Sequence, residues 1–237
     1  MRSDDTPTGG VNLVSETIGV ITQHIRTNDL GPGDRLPSEN ALAKDLNVSR
    51  NVVREAFRSL AAMRLINLSA GKRATVAQLD HGAMSLMIEH GVLTEQISVQ
   101  HVYDVRRTIE TRTVTLASLR RTEAEALKIR QHAVQMMEHI HDADTVMEHD
   151  LYFHLAIAQA ARNPIFAMIV GAFQGVSRQS WPIGWRSRSE HAQRVVSVQT
   201  HIDIADAIAT GDPQSAAALM KAHFDDSTKV LLDAGLI

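Results

Sequence analysis

Four residues in the second half of the chain have the chemistry to bind one metal ion. Asp150 and His154 are spaced i, i+4 in a helical pattern, which places both side chains on one face, about 6 Å apart along the helix axis. His201 and His223 each follow apolar helical residues on a further segment. Three imidazoles and one carboxylate suit Zn, Ni, Mn or Fe. We expect a metal site where the three helices meet, although an Asp–His pair alone is more often a hydrogen bond.

Cysteine and histidine usage limit this chemistry further. The chain has no cysteine, which excludes disulfides, thiolate ligands and cysteine-based zinc fingers. Of its 12 histidines, 11 lie between His81 and His223. Several of them lie among charged residues on predicted helix surfaces, where a solvated ring needs no ligand role. These surface histidines are His132, His139, His141 and His191.

A second group of side chains has the chemistry to bind nucleic acid. Arg50, Arg54 and Arg58 recur every four residues, so they share one face of a predicted helix. Between residues 49 and 73 the chain has six basic residues and one acidic residue, although its total net charge is -3. This local charge favours phosphate binding, and such a helix fits a major groove. The alternative is an ordinary solvated helix face. The buried face of the same helix is predicted to comprise Val53, Ala56, Phe57 and Leu60.

Short capped helices and a basic turn must position these arginines. Ser38 is placed to cap a first helix, and Asn47 tolerates the left-handed conformation at its end. Ser49 is placed to cap the second helix, which contains the arginines. A strand, a basic turn and a return strand are predicted to follow at residues 65–68, 71–73 and 75–76. The pattern predicts a helix-turn-helix followed by a β-wing.

The motifs PGDRLPSENALA, NVSRNVVREAFRSL and GKRATV lie between residues 20 and 76. They resemble the winged-helix domain of the GntR family of bacterial repressors. The resemblance implies that Arg50 and Arg54 read guanines in a palindromic operator and that the wing at Gly71 enters the minor groove. The residues that it implicates in DNA binding are Arg35, Ser38, Ser49, Arg50, Asn51, Arg54, Gly71 and Lys72. The chain departs from the family pattern at Asn40, Arg64 and Arg73.

Length and charge divide the chain into two parts. Its 237 residues suit a small module plus one larger domain, and residues 1–77 have a net charge of +2 against -5 for the remainder. We predict a mostly α protein, with an N-terminal winged helix-turn-helix and a C-terminal all-α bundle. The predicted parts are a flexible arm at 1–12, the DNA-binding domain at 13–77, a linker at 78–82 and the bundle at 83–237, with an opening helix from Val11 to Asp29.

Helical periodicity extends through nearly all of the second part. The predicted helices lie near residues 83–90, 98–119, 122–140, 143–162, 164–180, 189–210 and 213–233. Proline and glycine predict the breaks between the last four of them. These breaks are Asn163-Pro164, Trp181-Pro182-Ile183-Gly184 and Gly211-Asp212-Pro213.

Three further segments are VYDVRRTIETRTVTLAS, DLYFHLAIAQAARNPIF and HIDIADAIATGDPQSAAALMKAHF. They resemble the FCD domain, the helical effector-binding domain of the FadR-like branch of GntR regulators, over about residues 83–235. The resemblance implies a small carboxylate effector and a divalent metal, with Zn the first expectation and Ni, Mn or Fe as alternatives. By the same resemblance the metal ligands are Asp150, His154, His201 and His223.

The effector is expected near Arg106, because a planar guanidinium matches a carboxylate. The alternative for Arg106 is an i, i+4 ion pair with Glu110. By resemblance, Glu110 and Asn163 also lie near the pocket or support it. Tyr103 and Trp181 are interpreted as packing residues.

Together these features predict a DNA-binding transcription regulator, expected to act as a repressor, and not an enzyme. A homodimer would match a palindromic operator and neutralise more phosphates than one module. The polar N-terminus is unlike a secretory signal and no segment suits a bilayer, which predicts a cytoplasmic protein without a membrane partner. Two alternatives stay open. The metal could be purely structural, or it could be catalytic in a hydrolase with Glu148 or Glu110 as the base.

Overall fold

The computed structural model describes the backbone of residues 8–236 and the side chains of residues 13–236. The described chain is mostly α, as predicted, and it divides into two compact units, Met1–Ala83 and Met84–Ile237. The elements in chain order are α1 (Thr8–Thr27), α2 (Glu39–Asp45), α3 (Arg50–Ala62), β1 (Ile66–Asn67), β2 (Thr75–Val76), α4 (Gly82–Leu93), α5 (Val99–Arg120), α6 (Glu123–Glu138), α7 (Ala143–Ala160), α8 (Pro164–Ala172), α9 (Gln174–Ser187), α10 (His191–Thr210) and α11 (Pro213–Asp233).

Side-chain caps define the helix-turn-helix of the first unit. The Ser38 hydroxyl accepts from the Ala41 N–H at 3.2 Å at the start of α2, and the Ser49 hydroxyl accepts from the Val52 N–H at 3.3 Å at the start of α3. Asn47 between them has φ +51°, the left-handed conformation that asparagine tolerates. The predicted caps and turn are therefore confirmed.

The core of the first unit packs against one face of α3, and the arginine face lies outside this core. Helix α1 packs across α3, and Val53 and Ala56 have no exposed surface. The two short strands pair antiparallel, with Ile66 opposite Val76. Gly71 in the turn between them has φ +70°, which favours glycine. The predicted wing is confirmed, although each strand has only two residues.

Helix α5 is central to the second unit. It packs against α7, α10 and α11, and α6 covers α7 and α10. Tight burial requires apolar residues on several faces of these helices, which is why their periodicity is less clear than that of α3. The largest fully buried side chains of this core are Ile129, Met136, Phe153, Ile157, Ile204, Ile208, Met220, Phe224 and Leu231.

Two consecutive arginines at the turn between α5 and α6 bind the ends of two other helices. Arg120 Nη1 donates to the carbonyl of Ala161, just after α7, at 2.9 Å. Arg121 donates to the carbonyls of Ile208 and Ala209, in the last turn of α10, at 3.0 and 2.5 Å. Cations are favourable at helix C-termini, where carbonyls lack partners within the helix. These contacts fasten one end of α7 and one end of α10 to the same turn.

The predicted break at residues 181–184 is wrong. Helix α9 continues through Pro182, because Trp185 beyond it is 6 % exposed and packs in the core. Tertiary packing outweighs the hydrogen bond that proline removes. The predicted helix over residues 164–180 instead divides at Phe173, whose N–H bonds to carbonyls in the last turn of α8. The other two predicted breaks are confirmed by the caps at Asn163 and Gly211.

The opening helix begins earlier than predicted. Helix α1 starts at Thr8, so residues 8–12 of the predicted arm are helical, and residues 1–7 of that arm lie outside the described residues. Gly82, the last residue of the predicted linker, begins α4. Among residues 8–236, no helix combines the length and the apolar character that crossing a membrane would require.

Candidate metal and effector site and nucleic-acid interface

Three histidines from three helices converge inside the second unit. His154 lies in α7, His201 in α10 and His223 in α11, and one ring nitrogen of each lies within 4.8 Å of the other two. The centres of the His201 and His223 rings are 4.6 Å apart. His154 and His201 are buried, and His223 is half-buried. Three imidazoles at this spacing can bind one divalent ion.

Asp150 joins this cluster from one turn before His154. Its Oδ1 lies 3.0 Å from His201 Nε2. Burial alone would raise the pKa of Asp150, but the nearby histidines, His201 first among them, outweigh it and hold that pKa far below its usual range. The carboxylate is thus ionised, as a metal ligand must be. Burial, with His201 and His154 nearby, lowers the pKa of His223 well below its ordinary value and keeps its ring neutral.

Several buried atoms of the cluster lack hydrogen-bond partners among the described residues. They include Nε2 of both His154 and His201. His201 Nδ1 lies 3.0 Å from the carbonyl of Ser197, to which it donates, so Nε2 keeps a free lone pair. His154 Nδ1 lies 2.5 Å from Glu110 Oε2, but the contact does not have hydrogen-bond geometry. Buried polar atoms are normally paired, so these unpaired nitrogens fit a metal ion.

Arg106 is held rigidly beside the cluster. Its Nε donates to Glu110 Oε1 at 2.8 Å and its Nη1 donates to Ser177 Oγ at 3.0 Å. The guanidinium carbon lies 5.5 Å from the centre of the Tyr103 ring and 5.1 Å from that of Phe224. The predicted i, i+4 pair with Glu110 is therefore present. It does not exclude a carboxylate clamp, because N–H groups at the outer end of Arg106 remain available.

A small cavity of about 50 Å³ connects these groups. Its walls include Arg106, Asp150 and all three clustered histidines. Tyr103 and Trp181 also line it, and both pack in or against the hydrophobic core, which agrees with their interpretation as packing residues. Burial raises the pKa of Tyr103, which keeps its hydroxyl, 3.3 Å from Ser180 Oγ, protonated.

Glu110 and Asn163, the other two predicted effector residues, lie in different surroundings. Glu110 is 1 % exposed and bridges Arg106 and His154. Burial alone would raise the pKa of Glu110, but Arg106 and His154 outweigh it and lower that pKa. Asn163 is not part of the cavity wall, because its side-chain oxygen caps α8 by accepting from the Ile165 N–H at 3.1 Å. The structure therefore gives Glu110 a supporting position and does not support an effector contact by Asn163.

An open groove between α2, α3 and the wing collects most of the predicted DNA-binding residues. Arg58 and Arg73 add further positive charge to it. Ser49 and Asn51 are exposed at the start of α3, and Arg35 lies on an adjoining groove. The predicted residues that line the main groove are Ser38, Arg50, Arg54, Gly71 and Lys72. A groove with this charge and an exposed helix face can accept a nucleic-acid backbone.

Glu39 holds the two principal arginines of this groove. Its Oε2 lies 3.0 Å from Arg50 Nε and 3.4 Å from Arg54 Nε. One carboxylate therefore orients both guanidinium groups in the absence of DNA. Because all three side chains retain contact with solvent, the pairs can exchange for bases or phosphates at small cost.

Comparison with known protein families identifies both units. The description "Bacterial regulatory proteins, gntR family" matches residues 13–76, and the FCD domain matches residues 101–226, more than half of the chain. The chain belongs to the GntR family. This GntR protein is thus a transcription regulator that combines a DNA-binding helix-turn-helix with an FCD effector domain. Because the family comprises regulators, the hydrolase alternative is not supported.

Individual relatives of this GntR regulator agree with the family assignment. The transcriptional regulator LutR of Bacillus subtilis (strain 168) is 29 % identical over 211 residues, which cover 87 % of this chain and 95 % of LutR. The transcriptional repressor NanR of Salmonella newport (strain SL254) is 28 % identical over 212 residues, covering 86 % and 80 %. The solved structure of Streptococcus agalactiae GntR has a TM-score of 0.63 at 22 % identity, covers 91 % of this chain and 99 % of its own, and shows the same fold.

Sequence reasoning missed several residues of this GntR regulator. Glu39 is the first residue of α2, and no local signal in the sequence indicates that it contacts Arg50 and Arg54 of α3. Ser177 and Arg188 also escaped notice, and both lie at the cavity or against Arg106. Arg188 lies just after α9, beyond the wrongly predicted break at residues 181–184, whereas Ser177 lies within the predicted helix and contacts Arg106 through distant packing.

Proposed function

We propose that this regulator is a homodimeric repressor whose operator binding is weakened by a small carboxylic acid bound at a divalent metal. The proposed metal ligands are Asp150, His154, His201 and His223. Arg106 is the proposed clamp for the carboxylate. The DNA-binding face is the groove lined by Arg50 and Arg54. The two such faces of a dimer would bind the two halves of a palindromic operator.

One observation supports this proposal most directly. A guanidinium and three imidazoles meet at the same internal cavity, and buried nitrogens of His154 and His201 lack hydrogen-bond partners among the described residues. A purely structural core would leave such atoms paired. Positive and metal-binding groups around one cavity suit an anionic ligand.

Different residues of the proposed site contribute to different parts of ligand binding. A divalent ion on this set would supply positive charge that attracts and chelates a carboxylate or hydroxy acid. Arg106 adds directional N–H donors, and Tyr103 and Phe224 keep its guanidinium in one plane. Glu110 fixes both Arg106 and His154, so the clamp and the ligand set share one support.

Control of DNA binding requires that the acid prefer one arrangement of the dimer. A ligand with equal affinity for the DNA-bound and the free arrangement would shift nothing. Helices α7, α10 and α11 each contribute a histidine, so a ligand at the cavity contacts three separate helices at once. We infer that the acid changes how these helices pack and thereby the spacing of the two DNA-binding units.

The metal proposal is tested on purified protein by native mass spectrometry combined with elemental analysis. We expect a dimer with one divalent ion per chain. His201→Ala and His223→Ala should each lose the tightly bound ion, whereas His139→Ala, on an exposed ring, should retain it. A full equivalent of metal retained by both ligand variants would contradict the proposed ligand set.

The regulatory proposal is tested with an operator selected from random DNA by the wild-type protein. Fluorescence anisotropy then measures operator affinity with and without lactate, succinate or citrate, for the zinc-loaded protein and for protein treated with a chelator. We expect an effective acid to lower operator affinity only in the zinc-loaded protein. Operator affinity that no acid changes would contradict effector control by this chemical class.

A second candidate, a purely structural metal, has one observation in its favour. The cavity of about 50 Å³ has room for an ion and a few water-sized groups only. In that case zinc would raise the melting temperature, since a ligand that binds only the native state stabilises it, but acids would add nothing. Thermal unfolding with zinc, with and without each acid, separates the two candidates.

A further inference from the structure

Arg188 lies at the boundary between the internal cavity and the surface. It lines the cavity that contains the histidine cluster, and it also lines an outer groove between α10 and α11. Ser197 and His223 are the other residues common to both spaces. The outer groove is largely apolar, with Val196 and Val230 among its walls. Arg188 therefore stands where a ligand would pass from solvent to the cluster.

The ion pair formed by Arg188 is unequal in its exposure. Arg188 Nη2 lies 2.5 Å from Asp226 Oδ2, and the side chain of Arg188 is 12 % exposed against 57 % for that of Asp226. A second contact, from Arg188 Nη1 to the Gly184 carbonyl at 3.1 Å, keeps the guanidinium near the cavity. Asp226 can therefore turn into water at little cost, whereas Arg188 would need another anion.

The backbone at Arg188 allows such an exchange of partners. Arg188 follows the last residue of α9 and lies outside regular secondary structure. Its carbonyl accepts from Arg194 Nε at 2.9 Å, which fixes the main chain to α10. The side chain can thus change partner without displacing the chain around it.

The charges around the cavity favour a ligand with two negative charges. The carboxylates of Asp150 and Glu110 balance the guanidinium groups of Arg106 and Arg188. A divalent ion on the histidine cluster, as in the proposed function, would then leave two positive charges uncompensated once Asp226 turns outward. Buried charge is costly unless it is paired. An acid with one carboxylate would neutralise only half of this excess.

We propose that Arg188 is a second anion-binding residue, which releases Asp226 to bind the distal carboxylate of a dicarboxylic acid whose other carboxylate is bound at the metal and Arg106. Asp226 holds the place of that carboxylate in the free protein. The Arg188–Asp226 pair thereby selects diacids over monoacids of equal length. This inference rests on the proposed metal and effector site.

The test compares matched acids on zinc-loaded full-length protein by isothermal titration calorimetry. The diacids are malonate, succinate and glutarate, and their monoacid partners are propionate, butyrate and valerate. We expect the best diacid to bind at least about tenfold more tightly than its partner, as a charge-assisted contact allows. Arg188→Gln should abolish this preference by weakening diacid binding far more than monoacid binding.

A pair of adjacent aspartates on α11 supplies the matched control. Asp226→Asn removes the competitor of the ligand and should tighten diacid binding severalfold without changing monoacid binding. Asp225→Asn carries the same substitution at a neighbouring position with 55 % exposure, but its partner Arg107 does not line the cavity. It should leave both affinities unchanged. Melting temperatures of all variants verify that each one folds.

The outcomes separate the inference from the function on which it rests. If Arg188→Gln weakens the binding of monoacids and diacids equally, or changes the binding of neither, the inference is overturned. Arg188–Asp226 is then a structural ion pair, and the proposed effector site is unaffected. If the wild-type protein binds none of the six acids, or binds them equally well after His201→Ala, the proposed effector site itself fails. Zinc content is measured on the same samples, so that a failure of the effector site is distinguished from incomplete loading with zinc.

Discussion

Two arginine–carboxylate arrangements in this protein have the same chemistry and opposite surroundings. In the first unit, Glu39 contacts Arg50 and Arg54, and all three side chains are between 26 and 57 % exposed. In the second unit, Glu110 contacts Arg106 in a pair that is 1 and 6 % exposed. Exposed pairs are screened and easily exchanged, whereas a buried pair is costly to break. Exposure thus decides whether such a pair presents charge to a partner or fixes the interior.

The largest expected effect is at the buried pair. Glu110→Ala would leave Arg106 uncompensated in the interior and remove the support of His154. We expect a loss of about 3–5 kcal/mol in the free energy of unfolding, measured by urea denaturation of protein kept free of metal. Glu39→Ala is the matched control in the exposed arrangement and should cost less than about 1 kcal/mol. Similar losses for both variants would remove the distinction between the two arrangements.

The next largest effect is at the exposed arginines and concerns DNA rather than stability. Arg50→Ala or Arg54→Ala should weaken operator binding by about 1–3 kcal/mol and relax base preference, because the bidentate contact to guanine is lost. Anisotropy titrations with the selected operator and a scrambled one measure both changes. Arg130→Ala, which removes an exposed arginine of the second unit, should leave operator affinity unchanged. Unaltered affinity in both α3 variants would contradict the assignment of the recognition helix.

A smaller effect is expected from His132, whose burial is intermediate between that of the buried pair and that of the exposed arginines. Burial, together with the nearby ring of His149, lowers the pKa of His132 to about 4. The Nδ1 atoms of the two rings are 3.1 Å apart. Since this pKa is below the ordinary value of about 6.5, the unfolded chain binds the proton more readily, and stability is lost as the pH falls from about 6.5 towards 4. In chelator, His132→Gln should reduce the acid-induced fall in melting temperature by about 2–4 °C. At pH 8 the same substitution should have no such effect on the melting temperature, because the histidine is neutral in both the folded and the unfolded chain.

The control for this measurement is an identical substitution at an exposed ring. His139→Gln should leave the pH dependence of the melting temperature as it is in the wild-type protein. If His132→Gln and the wild-type protein lose stability in parallel between pH 7 and 4.5, then His132 does not contribute to acid sensitivity.

The smallest effect is expected where an ion pair is most exposed. Arg58 contacts Glu55 one turn earlier at 2.7 Å, with side chains 63 and 54 % exposed. Arg58→Ala should change the free energy of unfolding by less than about 0.5 kcal/mol. Because Arg58 lines the basic groove, its loss should reduce the salt dependence of DNA binding by about one unit of slope. A stability loss comparable to that of Glu110→Ala would contradict the comparison.

The same contrast explains how much could be predicted from the sequence. The DNA-binding unit is built from local signals, such as the caps at Ser38 and Ser49 and the left-handed Asn47, and these were predicted closely. Local hydrogen bonds leave local signatures in sequence. Family resemblance also implies the four proposed metal ligands, and these residues lie in one region of the structure.

The surroundings of the metal-binding cluster were harder to predict, because they depend on distant packing. The contact between Arg106 and Ser177 spans 71 positions, and nothing in the neighbourhood of either residue indicates it. Arg188 reached the cavity only because α9 continues past Pro182, where local propensity predicts a break. The helix-capping role of Asn163, in contrast, is visible in the local sequence, whereas its effector contact is implied by resemblance alone and stays a prediction.

Helix α10 is attached through different contacts at its two ends, so a tilt of this helix would move its parts unequally. Its last turn is bound by Arg121, whereas Arg188 precedes its first residue and pairs with Asp226 of α11. Its 20 residues span about 30 Å. A tilt about the Arg121 end moves the opposite end by about 0.5 Å per degree, and His201, midway along, by about half as much. A tilt that changed the first turn of α10 would therefore reach the histidine cluster at reduced amplitude, and a small shift at the cluster would be enlarged at that first turn.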